Sequence, residues 1–96
     1  MATSVIKRTE IIKENHTVTL GTMSSGASSW GQLNVAKVGY VPLIASISTN
    51  SIANTHGQLI CNVTISGNTA YYVYHTFDAI AEADSEIVIS VLYKTA

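Results

Sequence analysis

Residues 58–66 read QLICNVTIS, and every second side chain, Leu59, Cys61, Val63 and Ile65, is apolar. The positions between them, Gln58, Ile60, Asn62 and Thr64, are mostly polar. A period of two is that of a strand with one face in a core; an α-helix repeats every 3.6 residues and cannot keep it. The pattern returns in residues 86–94, where Ile87, Ile89, Val91 and Tyr93 alternate with Glu86, Val88, Ser90 and Leu92. Residues 40–48 place Val41, Leu43, Ala45 and Ile47 on one side. Residues 5–13, 16–23 and 69–77 are further runs rich in Val, Ile, Thr or Tyr. The alternation predicts an all-β chain with Leu59, Val63, Ile65, Ile87, Ile89 and Val91 inside.

Turn chemistry separates these runs. Ser66-Gly67-Asn68-Thr69 predicts a two-residue hairpin, because Gly and Asn both accept positive φ. Lys13-Glu14-Asn15 is expected to break the first two runs, and residues 48–51 and 54–57 bracket a short loop around Ile52. Residues 78–84, DAIAEAD, have helix-forming composition but are too few for more than one coil. Residues 21–39, GTMSSGASSWGQLNVAKVG, form the longest irregular stretch, with a short strand expected only at 32–38. Six to eight short strands without an internal repeat predict one small antiparallel β-sandwich, jelly-roll-like, over residues 1–96.

A chain of 96 residues can bury roughly two-thirds of its unfolded surface, enough for one two-layer core. Hydrophobic residues make up 47% and charged ones 11%, with mean hydropathy +0.28, unusually apolar for a small monomer. Some outer surface is therefore expected to be covered. Val88 and Leu92 lie opposite the expected core side of their strand, and Tyr71 and Val73 alternate with Tyr72 and Tyr74. Tyr71, Val73, Val88 and Leu92 are read as one oligomer interface extending across a sheet.

Several function classes find no support. The net charge is −1, and Lys7, Arg8, Lys13, Lys37 and Lys94 form no dense patch, so nucleic acid is not an expected partner. No basic amphipathic helix, signal peptide or apolar run of membrane-spanning length is visible, so membrane insertion is not expected. Cys61 is the single cysteine and reads as a small buried hydrophobe. His16, His56 and His75 have no metal-ligand spacing, and the acidic cluster Asp78, Glu82, Asp84 and Glu86 lacks the spacing and glycine of a calcium loop. Ser4 and Lys7 match Ser-x-x-Lys by chance within a strand pattern, and residues 26–30 lack the closing glycine of a nucleophile elbow. Asn15 and Asn62 sit in glycosylation sequons without a secretory signal. No catalytic residue, metal site or cofactor is assigned, and the domain is read as non-enzymatic.

Aromatic side chains carry what recognition signal there is. Trp30 stands alone in a Gly/Ser-rich segment and reads either as a lid on the core or as a binding contact. Gln32 and Asn34 beside it could hydrogen-bond hydroxyl groups, making Trp30, Gln32 and Asn34 the candidate ligand set. The row Tyr71, Tyr72, Tyr74, His75 and Phe77 could stack on sugars, but reads first as core or subunit contact, with His75 packed among the tyrosines.

Three elements carry a resemblance: Gly39-Tyr40-Val41-Pro42-Leu43 opening a strand, an apolar strand running into Ile65-Ser66-Gly67-Asn68-Thr69-Ala70, and the terminal residues 88–94, VISVLYK. Together, over roughly residues 15–94, the chain resembles the C-terminal tip domains of bacteriophage tail-fibre and other receptor-binding structural proteins. The acidic connection at 78–86 and the Tyr-rich penultimate strand depart from the usual pattern. The resemblance implies a virion-located β-sandwich head, a homotrimer contacting other virion proteins and a bacterial cell-surface receptor, saccharide or protein. It is consistent with a C-terminal fragment of a longer fibre chain and transfers no individual site residue. Two rivals stand beside it: a ligand-free capsid-decoration or fibre-trimerising module, and a free lectin-like protein.

Overall fold

The computed structural model describes residues 9–49 and 59–96. Six strands follow in order: β1 (Ile11–Thr19), β2 (Ser28–Asn34), β3 (Tyr40–Thr49), β4 (Leu59–Ser66), β5 (Thr69–Thr76) and β6 (Glu86–Thr95). They make two three-stranded antiparallel sheets, β1-β6-β3 and β2-β5-β4. The one helical element among the described residues is a 3-10 turn, Glu82–Asp84, inside the segment expected to hold at most one coil. The chain is all-β.

β6 sits between β1 and β3, and its alternation decides the core. Ile87, Ile89, Val91 and Tyr93 are wholly buried, whereas Val88, Ser90 and Leu92 are half-buried on the other side. Each such aliphatic side chain contributes about 1.5–3 kcal/mol by leaving water. The inner side of β2-β5-β4 meets this row with Leu59 and Ala70 buried, and Val63, Ile65, Cys61, Tyr72 and Tyr74 packed around them. At one end Met23 and Ile80 exchange both backbone hydrogen bonds, 2.9 Å each, and close the core with their buried side chains.

The β4-β5 hairpin turns at Gly67-Asn68 with Ser66 paired to Thr69, as the turn signal requires. Only Gly67 has positive φ, +61°, which makes this a turn with the left-handed residue first. Asn68 accepts a hydrogen bond from Val35 N–H through its carbonyl (2.9 Å) and ties the hairpin to the β2–β3 connection.

Three expectations are corrected. Lys13-Glu14-Asn15 does not break the chain: β1 runs through it, pairing Lys13 with Leu92, Glu14 with Val91 and Asn15 with Ser90. Lys13 and Asn15 face outward, the Ser90 hydroxyl donates to Asn15 Oδ1 (2.7 Å), and the inward Glu14 is neutralised by Lys37 at 2.7 Å. In β3 the alternation slips. A bulge between Pro42 and Ile44 leaves Pro42, Ala45 and Ile47 facing inward, while Val41 and Leu43 are exposed. Proline has no N–H for the ladder and β3 is an edge strand, where such an interruption is tolerated. The stretch at 21–39 holds β2 from Ser28, not a strand at 32–38, because seven residues pair with β5. The expectations for residues 5–8, Ile52, His56 and Gln58 lie outside the described residues.

Burial assigns different costs to the two sides of each sheet. Ile89→Ala should lower unfolding stability by about 2–5 kcal/mol through the cavity it leaves. Ile60→Ala, at a position 53% exposed, should change it by less than about 0.5 kcal/mol. Urea unfolding of the two variants side by side measures the contrast.

Candidate functional site

The outer side of β2-β5-β4 is where accessible aromatic and polar groups converge. Register places its side chains in rows across the three strands: Gln32, Tyr71 and Thr64; then Trp30, Val73 and Asn62; then Ser28, His75 and Ile60. These positions alternate with the inward Ala70, Tyr72, Tyr74 and Thr76 of β5, so they point away from the core. Trp30 is 63% exposed, Val73 54% and Ile60 53%. Trp30 is thus mid-strand on the open face; the lid reading is overturned.

Local sequence explains why Trp30 can stand out. Its neighbour Gly31 faces inward, and a Cβ there would run into the Tyr72 ring. The glycine lets the ring lie against the β2 backbone, so Tyr72 and Tyr74 stack at 6.2 Å on the inner side, leaving the outer side to Trp30. Ser28 Oγ and His75 Nδ1 share a 2.6 Å hydrogen bond, and the His75 ring meets Phe77 edge-on at 4.9 Å. His75 therefore packs with Phe77 and Ser28 on the outer face, not among the tyrosines as expected. A concavity of about 540 Å³ lies over this end, lined by Ser28, Trp30, Ile60, Asn62, Val73 and His75 among others. A smaller one of about 130 Å³ continues it past Asn62, Val73 and Tyr71.

Of the candidate ligand set, Trp30 and Gln32 are brought together on this face. Asn34 lies one row further, but its Oδ1 accepts from Ala36 N–H (2.9 Å) and holds the turn after β2. The expected interface is divided. Tyr71 and Val73 belong to the Trp30 face, whereas Val88 and Leu92 belong to the outer side of β1-β6-β3. They cannot form one patch across a sheet. Asn62 and Ser28 were in no candidate ligand set on the sequence, and His75 was read first as a core or subunit contact, although the shared parity of 28, 30 and 32 and the β4-β5 hairpin register contained the signal.

A second polar cluster lies on the inner side of β1-β6-β3. The Tyr93 hydroxyl donates to Val35 O (2.7 Å), so the proton on His16 Nε2 is the one pointing back to the Tyr93 oxygen, 3.1 Å away. The Lys37 ammonium pairs with Glu14 and lies 5.6 Å from the Tyr40 ring centre. Tyr93 has no exposure, and its hydrogen bond to Val35 ties the β2–β3 connection onto the sheet. No group of three or more His, Cys, Asp or Glu among the described residues is arranged to hold a metal ion. No described helix is long and apolar enough to cross a membrane.

No family model matches the chain, and no curated protein or solved structure does either.

Four groups bind their protons more tightly than usual. Burial raises the Cys61 thiol, the Tyr72 phenol and the Tyr93 phenol, and the hydrogen bond that Lys37 donates to Glu14 raises Lys37. A raised folded-state pKa means the unfolded chain gives up its proton first as pH rises. The contribution is complete below the ordinary pKa and is lost as pH climbs through the raised one. Melting temperature should therefore fall continuously from about pH 8.5 upward, the thiol first and the phenols and Lys37 above about pH 10. Cys61→Ser should remove the first part of that fall, as thermal unfolding followed by circular dichroism across the pH range would record.

Proposed function

We propose that this domain is a non-enzymatic receptor-binding module of a bacteriophage virion, using the outer face of β2-β5-β4 to engage a bacterial surface saccharide. The carrying observation is Trp30: an indole on the edge strand β2, standing clear of the core in the middle row of a sheet face, with amide and hydroxyl side chains in the same and neighbouring rows. Sugars present an apolar ring face and a rim of hydroxyls, and this face offers an aromatic surface beside Gln32, Asn62 and Ser28. The likeness of its strand-opening, hairpin and terminal motifs to phage tail-fibre tips supplies the virion context. Shallow sites of this kind bind weakly one at a time, and several copies on one particle raise the effective concentration.

Trp30→Ala should weaken adsorption of the domain to host cells about tenfold or more. Its melting temperature should hardly move, because Trp30 contributes little to the core. Equal adsorption by wild type and variant would reject the face as the receptor surface.

A homotrimer belongs to this reading, with the joining surface moved. The outer side of β1-β6-β3 carries Leu92 beside Ile44, which is 61% exposed, around a depression of about 240 Å³. Val88 lies two rows along the same side. This surface suits contact between copies and leaves the Trp30 face open. Leu92→Asp should convert a trimer to monomers in light scattering without loss of fold, whereas Val73→Asp should leave the assembly intact. The rival decoration or trimerising module shares this surface and lacks the adsorption effect of Trp30.

A further inference from the structure

We infer that the outer face of β2-β5-β4 takes an uncharged glycan chain, laid along the strands and held by ring stacking and hydroxyl hydrogen bonds without any ionic contact. This rests on the proposed receptor surface and narrows it to one ligand class.

Charge distribution is the deciding observation. No Asp, Glu, Lys or Arg occurs anywhere in β2, β4 or β5. Every described charged side chain lies just before β1, on β1, on β6 or in the connections, from Glu10 and Lys13 to Lys37, Glu82 and Lys94. Phosphate- or carboxylate-bearing polymers are held by Lys and Arg, which form the charge-assisted bonds that repay an anion's lost hydration. On a floor of Trp30, Val73 and Ile60 an anion would lose water and gain no counter-charge. A neutral pyranose has no such requirement.

The polar groups present suit hydroxyls. Asn62 in the Trp30 row and Gln32 in the next one along carry amides, each with donors and an acceptor. Asn62 Oδ1 accepts from Val63 N–H (2.9 Å), so its NH₂ group is the part turned to other use. Ser28 engages His75 Nδ1, leaving Nε2 as that ring's remaining polar atom. Rows two residues apart along a strand are about 6.7 Å apart, so the three rows span about 13 Å, a footprint of about two to three sugar rings.

A second copy of the chain fits this face less well. Ser28, Gln32, Thr64, Asn62 and His75 occupy most of the three rows, and a seated subunit would have to desolvate all of them. The outer side of β1-β6-β3, with Ile44 and Leu92, is the better surface for that purpose.

The chain has one tryptophan, so its emission reports on this face alone. The experiment is an array of neutral and acidic bacterial surface glycans, followed by fluorescence titration of each bound glycan at about 50 and about 500 mM salt. The expected result is binding of neutral glycans with a blue shift of Trp30 emission and affinity changing less than about twofold between the salts. Asn62→Ala and Gln32→Ala should each weaken it about fivefold at unchanged melting temperature. Binding confined to acidic glycans, and weakened about tenfold or more by salt, overturns the uncharged class while leaving a saccharide receptor in place. No glycan bound, with host adsorption still lost in Trp30→Ala, points to a protein receptor and overturns the glycan. No glycan bound and adsorption unaffected by Trp30→Ala rejects both this inference and the proposed function. Self-association abolished by Trp30→Ala identifies a second copy as the occupant and also overturns it.

Discussion

The alternate side chains of β6 hold the molecule together. Ile87, Ile89, Val91 and Tyr93 have no exposed surface, and their strand is the one that both β1 and β3 pair with. Take β6 away and two strands lose their ladders while the opposite sheet loses the apolar surface it rests on. The last member of the row extends the role beyond packing, because the Tyr93 hydroxyl reaches Val35 O and receives His16. A phenol in that position satisfies the carbonyl of the buried Val35, which would otherwise lose its partner at a cost of about 1–3 kcal/mol, and also receives the part-buried imidazole. The β2–β3 connection is fixed by this contact, by Lys37 on Glu14, and by Asn68 on Val35. The position of β2, and so of Trp30, follows from these links.

The two sheets divide the work. β1-β6-β3 with its connections carries the charges, the ion pair and the fully buried row; β2-β5-β4 carries none of the charges and most of the exposed aromatic surface. Gly31 makes that division possible at the scale of one residue. Its missing side chain seats Tyr72 inside, and the next residue back presents an indole outside. A face built in this way is rigid, since every row is fixed by two ladders. Rigidity matters for a weak ligand, because little of the contact energy is spent on ordering the site.

Much of this was legible in the amino-acid sequence, in proportion to how local the signal was. β4, β5 and β6 announce themselves by alternation, and Gly67-Asn68 announces the turn between two of them. β2 was largely invisible: SSWGQLN has weak strand propensity, and what makes it a strand is its partner β5, some forty residues away. The bulge at Leu43 was hidden for a related reason, since alternation describes a regular ladder and Pro42 breaks one. The division of Tyr71 and Val73 from Val88 and Leu92 exposes a limit of periodicity itself. It tells which side of its own strand a residue takes, and says nothing about which sheet the strand joins. The functional face suffered most, because Trp30, Asn62 and His75 are distant in the chain and meet only through register.

β6 is also the last of the described strands to be synthesised, and it belongs in the middle of its sheet. Asn15 must wait for Ser90, 75 residues later, before its side chain finds its partner. Until then β1 and β3 have no common neighbour, and their backbone donors and acceptors face water or any other strand nearby. Closure by such distant pairing is slow, on the order of milliseconds to seconds, against microseconds for helical bundles. During that interval the nascent chain presents open strand edges. Crowded synthesis of many copies would thus place the greatest demand on chaperones before β6 emerges.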